Sequence, residues 1–352
     1  MGLRSVAVKS IRGTPSGGQR AEFGFMLPAR GPLARAEVVT RLARLADDLG
    51  YGYVLTSDHV VLPTRSSAPY PYNPTGQFPG GAHQDYLEPL VTMSWLLSAT
   101  KRIKVGVSVL VVPYRNPVVT AKQLATLDAM SGGRVIVGIG VGWWPEEFQA
   151  LAAPPFAERG AVTDEYVDLM KALWTQDVPR FEGKYYRFAD ATMLPKPVQK
   201  PHPPIWVGGH TDRAIRRTAE RGDVWHPIGL RGGVGLAPAE LGEKIRVLRE
   251  RTERAGRSPD ATGIAFRAPL DLWPARSRAA PASAPAPLSG PPAKVIADIR
   301  AYQAVGVRTF CFDFPRQEPA AMAELMRRFA REVRPKVTRI PGPPRARAGA
   351  RR

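Results

Sequence analysis

Apolar positions along the chain follow two alternating rhythms. Glu22-Phe-Gly-Phe-Met-Leu-Pro28 is a short consecutive apolar run bounded by Pro28 and Gly31, the pattern of a buried strand. Val38, Val39, Leu42, Leu45, Ala46 and Leu49 follow at helical spacing, closed by Gly50 at the C-cap position. The alternation then repeats. Further strands are predicted at Tyr53–Leu55, Ile103–Val112, Arg134–Ile139, Pro204–Val207, Asp223–Trp225, 263–273 and Arg308–Phe314. Helices are predicted over 86–99, 118–130, 160–174, 212–220, 237–255, 293–304 and 318–332.

Strands that are apolar on consecutive positions have both faces covered, which argues for an all-parallel sheet wrapped by helices. Eight such strands, each followed by a helix, point to an α/β fold, a (β/α)₈ TIM barrel; a doubly wound open sheet is the alternative. In a barrel, chemistry sits on the loops after the strands. Three of these are long, at 57–85, 141–159 and 274–292, and residues 176–203 form an insertion before strand five. Within that insertion Phe181–Phe188 reads as a small hairpin turning at Gly183.

Composition narrows the class. The 352 residues are 44% hydrophobic and 23% charged, which excludes wholesale disorder and a coiled-coil rod. The longest nearly uncharged apolar run, Val105–Pro113, is too short to cross a bilayer, and residues 1–20 lack an apolar signal region. The single cysteine, Cys311, can form no intramolecular disulfide, so a cytoplasmic location with no membrane partner is expected. The formal charge of +19 suggests nucleic acid at first, but ten of those charges lie on Gly/Pro-rich ends, residues 1–20 and 336–352. Both ends are expected to be disordered, flanking one barrel over 21–335. The remaining excess steers a small anion as readily as a polynucleotide, so no nucleic-acid partner is expected.

Several clusters carry candidate chemistry. Asp58 and His59 follow strand two, where a histidine oriented by a carboxylate can exchange a proton; the same pair also reads as a loop cap and a packing side chain. Ser108, small within a bulky strand, marks a close approach, a bulge or a bland strand position. Gly138-Ile-Gly140-Val-Gly142 is not a dinucleotide fingerprint, and its small residues are expected to leave room for a flat ring walled by Trp143 or Trp144. Glu146 and Glu147 read either as an acid or as first-turn carboxylates favoured by the helix dipole. Gly208-Gly209-His210-Thr211-Asp212 ends a strand on two glycines and starts a helix at once, the arrangement of a phosphate site, with Arg213, Arg216 and Arg217 on the same helix; the stretch also reads as an ordinary glycine turn before a solvated helix. His83, His202 and His226 lack partners at metal-ligand spacing, so no metal site is expected.

Taken together, Ser57-Asp58-His59, Gly76-Gln-Phe-Pro-Gly80, Pro113-Tyr-Arg-Asn-Pro117, Leu127-Asp-Ala-Met-Ser-Gly-Gly-Arg134, Gly140-Val-Gly-Trp143 with Glu146-Glu147-Phe148, Leu194-Pro-Lys-Pro-Val-Gln199 and Pro203-Pro-Ile-Trp-Val-Gly-Gly209 resemble the luciferase-like flavin-dependent monooxygenase superfamily. Within it they resemble the class that uses the deazaflavin coenzyme F420. The resemblance covers about Glu22 to Phe314. It implies a barrel of the bacterial-luciferase type whose insertion before strand five covers the site. A non-prolyl cis peptide would fall at Ser108-Val109, pressing on the coenzyme ring. Gly140, Trp143, Gly208, Gly209, His210 and Arg213 would complete the coenzyme site, with Arg213 and Arg217 facing its anionic tail.

The implied activity is hydride transfer between F420 and a small organic substrate, with His59 exchanging the proton and Asp58 orienting it. Family members acting on sugar phosphates carry a glutamate where this chain has Trp143, so an apolar or aromatic substrate is expected. The alternative is an FMNH2-dependent monooxygenase fed by a separate flavin reductase. Many superfamily members form homodimers, which the resemblance allows here.

Overall fold

The computed structural model describes residues 20–230, 234–273, 286–315 and 318–340. Eight parallel strands, β1 (Glu22–Met26), β2 (Tyr53–Thr56), β3 (Lys104–Val107), β4 (Val135–Gly140), β5 (Ile205–Gly208), β6 (Val224–His226), β7 (Gly263–Pro269) and β8 (Thr309–Asp313), pair in chain order. β8 returns to pair with β1, closing the ring. The expected barrel is therefore the observed fold. Its outer layer is α1 (Ala36–Asp48), α2 (Pro89–Ala99), α3 (Pro117–Ser131), a short α4 (Pro145–Ala150), α5 (Arg159–Thr175), α6 (Asp212–Arg221), α7 (Pro238–Arg254), α8 (Pro292–Ala304) and α9 (Pro319–Arg328).

Strand alternation separates two cores. Phe23, Phe25, Val54, Phe310 and Phe312 point outward against the helices, while Met26, Tyr53, Leu55, Ile136, Trp206, Ala265 and Cys311 fill the barrel interior. Tyr53 fits because β1 offers Gly24 beside it: a Cβ there would lie 2.5 Å from the Tyr53 ring. Helix starts are written locally. Asn116 accepts hydrogen bonds from the Val118 and Val119 N–H groups and Pro117 takes the first helical position, so α3 begins one residue before the predicted helix.

Three expectations are corrected or refined. The last helix does not run evenly to residue 332; α9 stops at Arg328 and the chain passes through a π-helical turn, Phe329–Val333. The ordered chain also continues past 335. Arg334–Val337 is helical, Val337 and Ile340 are buried, Gln303 Nε2 donates to the Val337 carbonyl at 2.8 Å, and Ala21 N–H donates to the Thr338 carbonyl at 2.8 Å. Apolar burial and pairing with the chain entrance thus hold residues 336–340, and Arg20 bridges to Arg339. Residues 1–19 and 341–352, the rest of the expected tails, lie outside the described residues. Finally, strand three is interrupted: after Val107 the Ser108–Val109 peptide is cis, and extended pairing resumes at Leu110–Val111.

In the insertion, Phe181–Glu182 pairs antiparallel with Arg187–Phe188, and the turn is closed by Gly183 N–H donating to the Tyr186 carbonyl at 2.9 Å. Among the described residues no helix is long and apolar enough to cross a membrane.

Candidate active site

The carboxyl ends of the strands surround a cavity of about 1220 Å³. Asp58, His59, Ser108, Val109, Gly140, Trp143, Gly208, Gly209, His210 and Arg213 all line it. The barrel closure brings together residues from four separate strand ends, and the cavity has a histidine–carboxylate corner, a floor, a cationic arm and an aromatic roof.

The corner is built on β2 and α4. His59 Nδ1 lies 2.5 Å from Glu147 Oε2, and both side chains are buried. Glu147 Oε1 accepts from the Val60 N–H at 2.8 Å, and Oε2 also accepts from the Tyr114 hydroxyl at 2.9 Å. The carboxylate is therefore saturated with donors and fixes the imidazole, leaving Nε2 as the ring nitrogen without a protein partner among the described residues. Asp58 does not orient His59, contrary to expectation. It faces β3 instead, where Arg115 grips it through two hydrogen bonds of 2.7 and 2.8 Å and Val111 N–H donates at 2.8 Å. Burial pushes the Asp58 carboxyl above its usual range, and Arg115 and Val111 pull it back. What sequence reasoning missed was the pairing of His59 with Glu147, a residue that reads locally as an acid or a first-turn carboxylate. It lies 88 positions from His59 in sequence, and its place in a first helical turn supplied a sufficient local explanation.

The floor is the β3 interruption. Ser108 Oγ lies 2.8 Å from His226 Nε2, and Arg267 Nη1 donates to the Ser108 carbonyl at 3.1 Å and to its hydroxyl at 3.0 Å. Arg267 is itself neutralised by Asp313 at 2.8 Å. Val109 explains the glycines. A Cβ on Gly140 would lie 2.3 Å from Val109 Cγ2, one on Gly208 2.6 Å from Val109 Cγ1, and one on Gly138 1.8 Å from the Val107 carbonyl oxygen. The repeat thus makes room for β3 and Val109, not directly for a flat ring as expected. Gly142 likewise clears Phe148 and Val111.

The arm runs from β5 to the starts of α5 and α6. Thr211 caps α6, and Gly209 adopts a left-handed φ of 103° that lets the chain turn from strand to helix. Arg213 has no acidic partner among the described residues. Arg217, expected beside it, is occupied by Asp164 at 2.5 Å and the Gly160 carbonyl at 3.0 Å. Its place is taken by Arg159, the first residue of α5, whose Nε is buried without a partner. Burial, then the nearby Arg213 charge, lowers the Arg159 pKa. Both arginines stand at helix N-termini, where the dipole disfavours a cation. That mismatch was the sequence signal for Arg159. His210 Nδ1 is also buried without a partner, and burial lowers its pKa.

The roof is aromatic. Trp143 packs on Trp144 at 4.7 Å, on Phe78 at 6.0 Å and against Tyr70 at 5.3 Å, ring centre to ring centre. His59 meets the edges of Phe78 and Tyr86, each at 5.1 Å. Among the described residues, no group of three or more His, Cys, Asp or Glu side chains converges as a metal site would require.

The chain is a member of the luciferase-like monooxygenase family, whose profile matches residues 21–280. An uncharacterized protein of Mycobacterium tuberculosis is 35% identical over 217 residues, 62% of this chain and 72% of that protein. The FMNH(2)-dependent dimethylsulfone monooxygenase of Pseudomonas putida is 36% identical over 189 residues, 53% of this chain and 47% of that enzyme. Among solved structures, monooxygenase RslO1 from Streptomyces bottropensis superimposes with a TM-score of 0.71 at 24% identity, covering 89% of this chain and 99% of that one. An F420-dependent secondary alcohol dehydrogenase, in complex with an F420-acetone adduct, gives 0.70 at 19% identity, covering 90% and 99%. These two share the fold. The relatives thus include both deazaflavin-dependent and flavin-dependent enzymes.

Proposed function

We propose that this protein is an F420-dependent oxidoreductase that moves a hydride between the deazaflavin and a small apolar or aromatic organic substrate. One observation carries the choice of coenzyme. The cavity lining is not confined to the glycine turn but includes residues 157–161, Lys184, Tyr185 and Arg216, which leaves room for a group longer than a lone phosphate. FMN ends at its phosphate, whereas F420 carries an anionic tail past it.

The residues fit such a group. Among the described residues, Arg159 Nε and His210 Nδ1 are buried polar atoms without partners, and Arg213 has no acid to neutralise it. Arg159, Arg213 and the Gly208–Gly209 turn would hold the phosphate, and Val109 and Trp143 would bracket the ring; Lys184 and Arg216, at the far end, are already paired with Glu158 and with Asp164 and Glu220 and would meet a tail only by sharing those partners. When bound, the deazaflavin supplies two-electron hydride chemistry at carbon. The protein's own part is the proton. Glu147 fixes His59 at Nδ1, so Nε2 is the atom that gives or takes the substrate proton, and Asp58 holds the β2 and β3 ends together through Arg115.

A second reading rests on the 36% identity to an FMNH(2)-dependent monooxygenase: the same cavity would then take reduced FMN from a partner reductase. Calorimetric titration of the protein with each coenzyme separates the two. The deazaflavin is expected to bind more tightly, with Arg159→Ala and Arg213→Ala each weakening it by about tenfold. Tight FMN binding with none to the deazaflavin would overturn the proposal.

A further inference from the structure

We infer that the substrate end of the cavity is built for a planar organic acid, and that Arg30 is the residue that recognises its carboxylate. The inference takes from the proposed function only where the reaction occurs, beside His59.

Arg30 lies where the chain leaves β1. Its backbone bridges to Tyr86, and Gly31 N–H donates to the Asp85 carbonyl at 2.9 Å, so the position is fixed on both sides. The side chain lines the cavity, with its guanidinium 5.5 Å from the centre of the Phe78 ring. Nη1 donates to the Pro79 carbonyl at 2.5 Å. No carboxylate lies within 4 Å of it among the described residues.

The other guanidiniums at this end are taken. Arg115 is shared by Asp58 and Glu88, and Arg267 is held by Asp313, while Glu147 is held by His59. Arg30 is thus a guanidinium with no carboxylate partner among the described residues, set in a partly desolvated, aromatic chamber. The chamber's walls are ring faces and edges, from Tyr70, Tyr72, Phe78 and Trp143. Rings of this kind accept a flat body by stacking, and a guanidinium fork matches a carboxylate through two parallel hydrogen bonds. His59 and Arg30 touch the same Phe78 ring, at 5.1 and 5.5 Å. A planar acid can thus present its reacting carbon to His59 and its carboxylate to Arg30. A neutral isostere leaves the half-buried arginine unmatched and is disfavoured.

The test is calorimetric binding of matched acids and amides, benzoate with benzamide and cinnamate with cinnamamide, to protein saturated with whichever coenzyme binds. At least one acid is expected to bind about tenfold or more tightly than its amide. Arg30→Gln should erase that preference while leaving coenzyme affinity within about twofold, since Arg30 lies outside the cationic arm. If Arg30→Gln does not fold, Arg30→Lys, which keeps the charge but not the fork, should cut the preference severalfold. Acids bound no better than amides, or a preference unchanged in either variant, would overturn the inference. Failure of the coenzyme reading would show separately, as FMN binding without deazaflavin binding, and would leave the acid preference measurable.

Discussion

The mouth and the floor of the cavity each hold a buried histidine, and the two are wired for different work. At the mouth, His59 places Nδ1 against the Glu147 carboxylate and leaves Nε2 beside the cavity, without a protein partner among the described residues. At the floor, His226 donates from Nδ1 to the Ala265 carbonyl at 2.6 Å, which leaves Nε2 to accept from the Ser108 hydroxyl at 2.8 Å. Both of its nitrogens are consumed, and burial pushes its pKa down to about 4. The first imidazole keeps one nitrogen facing the cavity; the second must stay neutral to hold Ser108. What a histidine does here is decided by what its second nitrogen meets, not by burial or by proximity to the site.

The largest effect should follow from breaking the mouth. His59→Ala is expected to lower turnover of any accepted substrate by about 10² to 10⁴ while leaving coenzyme affinity unchanged. Glu147→Gln should cost less, because an amide oxygen can still accept from Nδ1 but fixes the imidazole less firmly than the carboxylate does. Steady-state kinetics, with calorimetry for the coenzyme, reads both. If His226→Gln depressed turnover as much as His59→Ala at unchanged coenzyme affinity, the contrast between mouth and floor would be wrong.

The floor should instead show itself in stability. His226 is held at about 4 in the folded chain against 6.5 for an ordinary histidine, so between those values the unfolded chain binds a proton that the folded chain does not. Stability therefore rises with pH through this window. The contribution is complete above the upper value and is lost as pH falls, amounting to about 3 kcal/mol over the whole shift. Urea denaturation at several pH values should show this slope in the wild type, and His226→Gln should flatten it by a similar amount. An unaltered slope in the variant would remove His226 as its source.

The fold was legible in the chain because parallel barrel strands are consecutive apolar runs and their helices are periodic, and both patterns are local. Where local pattern was silent, tertiary contact decided. Val337 and Ile340 lie within a basic terminal stretch, and only their packing shows that the chain is still ordered there. The site was legible at single positions and not in its pairings. Asp58 is adjacent to His59, yet the two side chains serve different strands, and the true partner stands on a helix after β4. Arg159 carried a signal, a cation at a helix start, that can be read from sequence. Arg30 carried none, since its meaning depends on Phe78 from another loop and on the absence of an acid.

The smallest effect sharpens what the glycines of β4 and β5 are for. A methyl on Gly140 would meet Val109 Cγ2 at 2.3 Å, and a β-branched side chain has little rotamer freedom with which to yield. Gly140→Ala should therefore destabilise the fold by about 1 to 3 kcal/mol and weaken coenzyme binding as Val109 is displaced into the cavity. The Val109→Ala/Gly140→Ala double variant distinguishes two causes. If the glycine exists for Val109, removing the valine branches relieves the clash, and urea denaturation should show a favourable coupling between the two changes. If the glycine instead makes direct room for a coenzyme ring, the stability costs should simply add, and coenzyme affinity should stay low in the double variant.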